Sequence, residues 1–212
     1  MTNVNTQKYL PLILALLGLV ISPFIMRSLG LTPGTATDVV IYAMAALGLN
    51  LLVGHTGLTS FGHGAFFGIG AYAAALSQKH WFEGQIVMPI VFTIVFCALL
   101  ATLVGALILR RRGVYFSLLT LAFSALTFAI AFRWTALTGG ENGLGNVVRP
   151  ALGVLQLDQP VPYLIAVSVI GWLVLYVIWR VSRSPFGHVL AAIRENEQRA
   201  QFQGYDTQRY KL

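Results

Sequence analysis

Charge is scarce in this 212-residue chain: 10% of its residues are charged, against about 25% in an ordinary soluble domain. With 57% hydrophobic residues and a mean hydropathy of +0.74, the composition excludes a soluble globular domain and implies an integral membrane protein. The single cysteine, Cys97, lies inside an apolar run and offers no disulfide framework. No G-x-x-x-x-G-K-[ST] run occurs, so there is no P-loop, and any ATP that drives this protein is hydrolysed on another polypeptide. A nucleophile elbow and a paired-carboxylate site are also missing, so the chain is not read as an enzyme and no cofactor is expected on it. None of Asp38, Glu83, Glu141, Asp158, Glu195, Glu197 or Asp206 falls in the middle of an apolar run. Proton- or sodium-coupled carriers commonly keep an ionisable group there, so coupling within the membrane is disfavoured. The net charge of +7 does not imply nucleic acid, because the basic residues sit at the ends of apolar runs, where topology explains them.

What the chain does have is long apolar runs. Spans are expected near 9–29, 36–53, 60–77, 86–109, 114–136 and 162–180, each long enough to cross a bilayer or nearly so at ~1.5 Å per residue. The fold expected is therefore an all-α polytopic transmembrane bundle of about six spans over 1–180, followed by a polar, basic segment, 181–212. The third run, 60–77, is short and Gly-rich and is also compatible with a re-entrant half. With the amino terminus inside, ten of the fourteen Lys and Arg residues fall on the inner side. That bias puts both the amino terminus and the carboxyl tail in the cytoplasm.

The most informative stretch is 45–76. It is apolar, yet Gly54, Gly57, Gly62, Gly64, Gly68 and Gly70 crowd it, and His55, Thr56, Thr59, Ser60 and His63 interrupt it. Irregular backbone survives in hydrocarbon only where protein or a water-filled cavity covers it, and transporters place broken helices at their substrate sites. Two helical pieces joined by a polar Gly-rich break are expected, with Asn50, His55, Thr56, Ser60, His63 and Gly64 as substrate-pathway candidates. An ordinary helix–loop–helix explains the same glycines, and the spacing Gly64-x-x-x-Gly68 suits close helix approach. His55 and His63 lack the further ligands that zinc requires, so no metal site is expected.

Ser184-Pro185 reads as a helix start, with Ser as cap and Pro at the first helical position. Phe186, Leu190 and Ile193 fall on one face. The polar run Arg194 to Ala200 follows, closed by Gly204. This segment suits docking to a cytosolic partner, the other reading being a helix lying among lipid headgroups.

Four segments together resemble the permease subunits of branched-chain amino acid ABC importers, of the LivM type: ALGLNLLVGHTG from Ala46; GHGAFFGIGAY from Gly62; RGVYF from Arg112 with LTGGENGL from Leu137; and SPFG from Ser184 with AIRENE from Ala192. The resemblance covers most of the chain from about residue 43. It implies a multi-pass protein of the bacterial inner membrane that works with a second permease subunit, two cytosolic ATPases and a periplasmic binding protein. The substrates it implies are leucine-like amino acids, or urea or short amides in some relatives. It also implies that 194–204 is the ATPase-coupling segment, with Arg194, Glu195, Glu197, Ala200 and Gly204 as candidates. The usual Glu-Ala-Ala of that segment is here Gln198-Arg199-Ala200, with Gly204 in place. Relatives continue with further spans after the position of Leu212, so the chain reads as carboxyl-terminally truncated relative to them. From the residues alone two other classes remain: a passive small-solute channel, and an intramembrane enzyme using His55 or His63 as a base.

Overall fold

A computed structural model describes residues 32–145 and 157–212, with isolated positions 12–13, 16–18, 21, 28, 30 and 147. The described elements are helical: α1 Pro33–Asn50, α2 His63–His80, α3 Val87–Ile108, α4 Val114–Arg133, the short α5 Thr135–Thr138, α6 Pro160–Ser182, and three tail helices, α7 Pro185–Glu195, α8 Glu197–Phe202 and α9 Thr207–Lys211. A π turn, Leu51–His55, continues α1, and a 3₁₀ turn, Gly140–Asn142, follows α5.

Local chemistry explains the boundaries. Thr32-Pro33-Gly34, which reads as a turn in sequence, is instead a helix start: Thr32 Oγ1 accepts from Thr35 N at 3.4 Å and Pro33 occupies the first turn. Pro160 likewise occupies the first turn of α6, there without a side-chain cap, and Gly113, at φ +60°, turns the chain from α3 into α4. The tail is not one helix but two at Asn196, whose extended backbone ends α7 and whose side chain accepts from Arg199 N at 3.0 Å to cap α8.

The expectation of six spans is corrected. Among the described residues, four helices are long and apolar enough to cross a membrane: Pro33–His55, Val87–Ile108, Val114–Arg133 and Pro160–Ser182. The first expected span, 9–29, lies outside the continuous described stretches. The third exists as α2, but it carries three glycines and ends on Gln78-Lys79-His80, which leaves it too polar by composition.

Two packed groups make up the bundle. α1 and α6 run side by side from neighbouring starts, Pro33 near Pro160, and Gly171 lets α6 close on α1: a Cβ there would meet Val40 Cγ1 at 3.0 Å. α2 pairs with α3 and with α4, where Phe66 and Phe123 rings lie 5.2 Å apart. Between the groups, contacts run through the irregular segment after His55, through the tail, and directly from α1 to the start of α2, where the Tyr42 and Phe67 rings lie 6.0 Å apart. Those junctions position the candidate site.

Candidate functional site

At the end of α1 the helix widens before it stops, and four of its last carbonyls find partners. Thr56 Oγ1 donates to Leu51 O at 3.3 Å, Leu58 N to Leu52 O at 3.2 Å and Gly57 N to Val53 O at 3.2 Å. The fourth, Gly54 O, accepts from Arg194 Nη1 of α7, 140 residues along the chain. An apolar bundle end with orphan carbonyls would be costly, and here a cation from the tail completes it. Gly57 is required at this point: its φ is +74°, and a Cβ would meet Arg194 Cγ at 2.9 Å.

From Gly57 the chain turns inward along α4 without forming a helix. Ser117 Oγ donates to Thr59 O at 2.6 Å, and Phe61 N donates to Thr120 Oγ1 at 3.1 Å. Gly62 lies against the α4 backbone, where a Cβ would stand 2.5 Å from Thr120 O. Thr120 is seven residues along from Gly113, so the irregular segment penetrates about 10 Å into the bundle before α2 begins. Buried α4 hydroxyls supply the hydrogen bonds this backbone needs in hydrocarbon. His63 then donates from Nε2 to Ala45 O at 3.0 Å, tying the start of α2 back to α1.

The tail is braced at the same end. Glu197 receives Lys211 Nζ at 2.6 Å, Arg112 Nη2 at 3.3 Å and Thr207 Oγ1 at 3.2 Å. The α3–α4 connection, α8 and α9 therefore meet on one carboxylate. Ala200 packs with Val189 and Ile193 under Tyr210. A cavity of about 250 Å³ remains at this junction, lined by Gly57, Leu58, Arg111, Arg112, Glu195 and Lys211 among others. Partial burial alone would raise the Glu197 carboxyl, but the Lys211 hydrogen bond and charge, with Arg112 and Thr207, hold it below the ordinary glutamate range. A depressed folded pKa means the brace contributes at neutral pH and is lost as pH falls through that lowered value. Amide exchange of α8 and α9 is therefore expected to accelerate only below the ordinary glutamate range. Glu197→Gln should show fast exchange already at pH 7 and no acid transition. An unchanged acid transition in Glu197→Gln would remove Glu197 as its origin.

A second feature lies between α2 and α4, further from the tail. Gly64, Gly68, Tyr72, Ser124, Thr127 and Glu141 line a cavity of about 450 Å³, with Phe128 and Phe132 on its wall. The expectation that Gly64 and Gly68 bring two helices together is corrected here: a Cβ on either meets nothing within 4 Å. These glycines widen a cavity. Close approaches are made instead at Gly62, Gly105 and Gly171, where a Cβ would meet Thr120 O, Leu212 Cδ1 and Val40 Cγ1.

The sequence-derived residues separate accordingly. Of the pathway candidates, Gly64 lines the cavity. Thr56 caps α1, Ser60 Oγ accepts from Gly62 N at 3.3 Å, and His63 bonds Ala45. Asn50 packs its Oδ1 over Gly54, and His55 Nδ1 is buried with no partner among the described residues. Of the coupling candidates, Arg194 is solvent-exposed but bonds back to Gly54 O, Glu197 and Ala200 face inward, Glu195 is exposed, and Gly204 makes a turn at φ +90°. Sequence reasoning missed Ser117, Thr120, Ser124 and Thr127, although hydroxyls at i, i+3, i+7 and i+10 of an apolar helix mark one polar face. It also missed Arg112 and Lys211, which no local pattern links to Glu197.

Comparison with known proteins gives three findings. Residues 32–212 match the family model described as branched-chain amino acid transport system, permease component. The chain is 31% identical over 233 residues to the high-affinity branched-chain amino acid transport system permease protein LivM of Escherichia coli K12, and 30% identical over 233 residues to LivM of Salmonella typhimurium LT2. Each alignment covers 98% of this chain and 54% of the relative, so the chain spans about half the length of the curated relatives it matches. No solved structure matches it.

Proposed function

This chain belongs to the branched-chain amino acid transport permease family, and from that premise we propose that it is the membrane-spanning part of an ATP-driven importer for leucine-like amino acids. Its partners in this reading are a second permease subunit, two cytosolic ATPases and a periplasmic binding protein, in a bacterial inner membrane. Residues 1–180 form the permease body and 181–212 the coupling segment, with the amino terminus and tail cytoplasmic. The matched relatives are named as high-affinity branched-chain amino acid permeases, and the chain has no P-loop of its own.

The observation that carries the mechanism is the bond from Arg194 to Gly54 O. It joins the segment proposed to face the ATPase directly to the π turn that ends α1, from which the irregular segment enters the bundle. A partner shifts a conformational equilibrium only through contacts that differ between the two states. An ATPase that moves α7 between its nucleotide states moves Arg194, and with it the end of α1 and the Gly57–Gly62 segment. The cavity between α2 and α4 is the amino acid's route on this subunit. Glu141 at one side suits an α-ammonium group, and Phe128 and Phe132 suit a branched apolar side chain.

Reconstituting the full-length permease with its partners in vesicles tests this reading. The expected result is leucine accumulation that requires ATP and the binding protein. ATP-independent flux would make the protein a channel and overturn the importer. Accumulation of urea or a short amide instead of leucine would overturn the substrate assignment.

A further inference from the structure

Three of the five tail residues that sequence assigns to the ATPase are occupied within the chain. Arg194 bonds Gly54 O, Glu197 holds Lys211 and Arg112, and Ala200 is 1% exposed. What α8 turns outward is Phe202, 92% exposed; no large hydrophobic side chain among the described residues is more so. The other apolar residues of the tail are less open. Val189, Leu190 and Ile193 are buried, Phe186 and Tyr205 are partly exposed but both pack on Tyr210, and Leu212 is 54% exposed.

Phe202 stands on a firm base. Asn196 caps the start of α8. Its end is closed by Gln203 N to Arg199 O at 3.1 Å and Tyr205 N to Ala200 O at 3.2 Å, around Gly204 in the left-handed region. Gln201 Nε2 ties α8 to Thr207 at 2.9 Å. A rigidly presented aromatic ring loses little entropy on insertion into a partner, which is why such rings dominate protein interfaces.

We propose that Phe202 is the anchor through which the tail docks on a cytosolic ATPase subunit, its ring entering an apolar-walled cleft of that partner, with Arg199 and Glu195 at the rim. The inference rests on the importer reading above and goes beyond it by separating two faces of the tail. The inner face, Arg194 and Glu197, braces the membrane helices, and the outer face, Phe202, meets the partner. A lipid surface is the poorer occupant. A headgroup-lying helix needs an apolar stripe, whereas α7 and α8 bury Val189, Leu190, Ile193 and Ala200 in the chain's own interior. The ring is flanked by Gln201 and Gln203, and the tail's acidic residues weaken attraction to anionic lipid.

The test uses the full-length permease in the assembled transporter. A photoreactive benzophenone side chain at position 202 is expected to crosslink to the ATPase subunit. Adducts confined to lipid, to the second permease subunit or to this chain itself would overturn the proposal. Phe202→Ala should weaken ATPase binding about 30-fold, with Phe202→Tyr retaining most of it and Gln203→Ala unchanged. The ring makes no internal packing to lose, so the thermal stability of the free permease should not change. If the wild-type permease binds no ATPase, the importer reading fails. If the wild type binds and Phe202→Ala binds equally well, the anchor alone fails.

Discussion

Replacing Gly57 by valine is expected to abolish ATP-driven uptake by the full-length permease while leaving membrane insertion intact. Gly57 sits at φ +74° with Arg194 Cγ 2.9 Å from any Cβ placed there. The left-handed conformation costs a non-glycine residue about 1–2 kcal/mol, and a β-branched one more. The Arg194 stem must also swing aside, which releases Gly54 O and forfeits about another 1 kcal/mol of hydrogen bonding. Each 1.4 kcal/mol is roughly tenfold in an equilibrium, so the docked arrangement of tail and irregular segment falls by more than about tenfold. The apolar spans are untouched, hence the normal insertion.

A milder pair of variants separates clash from strain. Gly57→Ala should be impaired, and adding Arg194→Ala should cost little more, because the Arg194 contact that the first substitution displaces is the one the second removes. The two substitutions are therefore expected to be non-additive. Uptake and substrate-stimulated ATP hydrolysis in vesicles are the measurements. Wild-type uptake in Gly57→Val would remove the tail contact from the coupling route, and strict additivity would mean that Gly57 and Arg194 act separately.

The sequence carried the helical bundle and the approximate spans because those depend on composition and length alone. The expected 86–109 became Val87–Ile108, and 162–180 became Pro160–Ser182. Features that depend on distant partners were not legible. Gly54 looks like a helix end, yet the helix continues past it as a π turn, where Asn50 Oδ1 occupies the space a Cβ would fill, 2.5 Å away. Arg194 and Glu197 look like residues offered to a partner because the acceptor of Arg194 lies 140 positions away and the cations of Glu197 lie 85 and 14 positions away. Asn196 was legible in principle, being a helix N-cap residue inside a polar run, but in sequence the run reads as one helix. Gly64 and Gly68 were misread for a different reason. A small-residue spacing shows that bulk is absent and says nothing of whether a helix or a cavity takes the space.

That ambiguity makes position 68 the sharpest test of the pathway. A side chain there enters open space, so Gly68→Ala should not destabilise the permease, and the gain in helix propensity should raise stability by about 0.5–1 kcal/mol. Gly68→Phe should also fold and insert, because its ring has the cavity of about 450 Å³ to occupy. The same ring would stand between α2 and the Ser124–Thr127 face of α4 and fill the proposed route. Leucine uptake should then fall by two orders of magnitude or so, the scale expected when a required site is sterically blocked rather than retuned by a methylene or two. Since α7 and Arg194 are untouched, ATPase binding should stay at the wild-type level. Thermal unfolding, ATPase pull-down and uptake, measured on the same preparation, separate the outcomes. Lower stability in Gly68→Ala would restore the close-packing reading of these glycines. Wild-type uptake in Gly68→Phe would move the pathway elsewhere. Loss of the second permease subunit from the Gly68→Phe complex would mean that the cavity receives that partner and not the substrate.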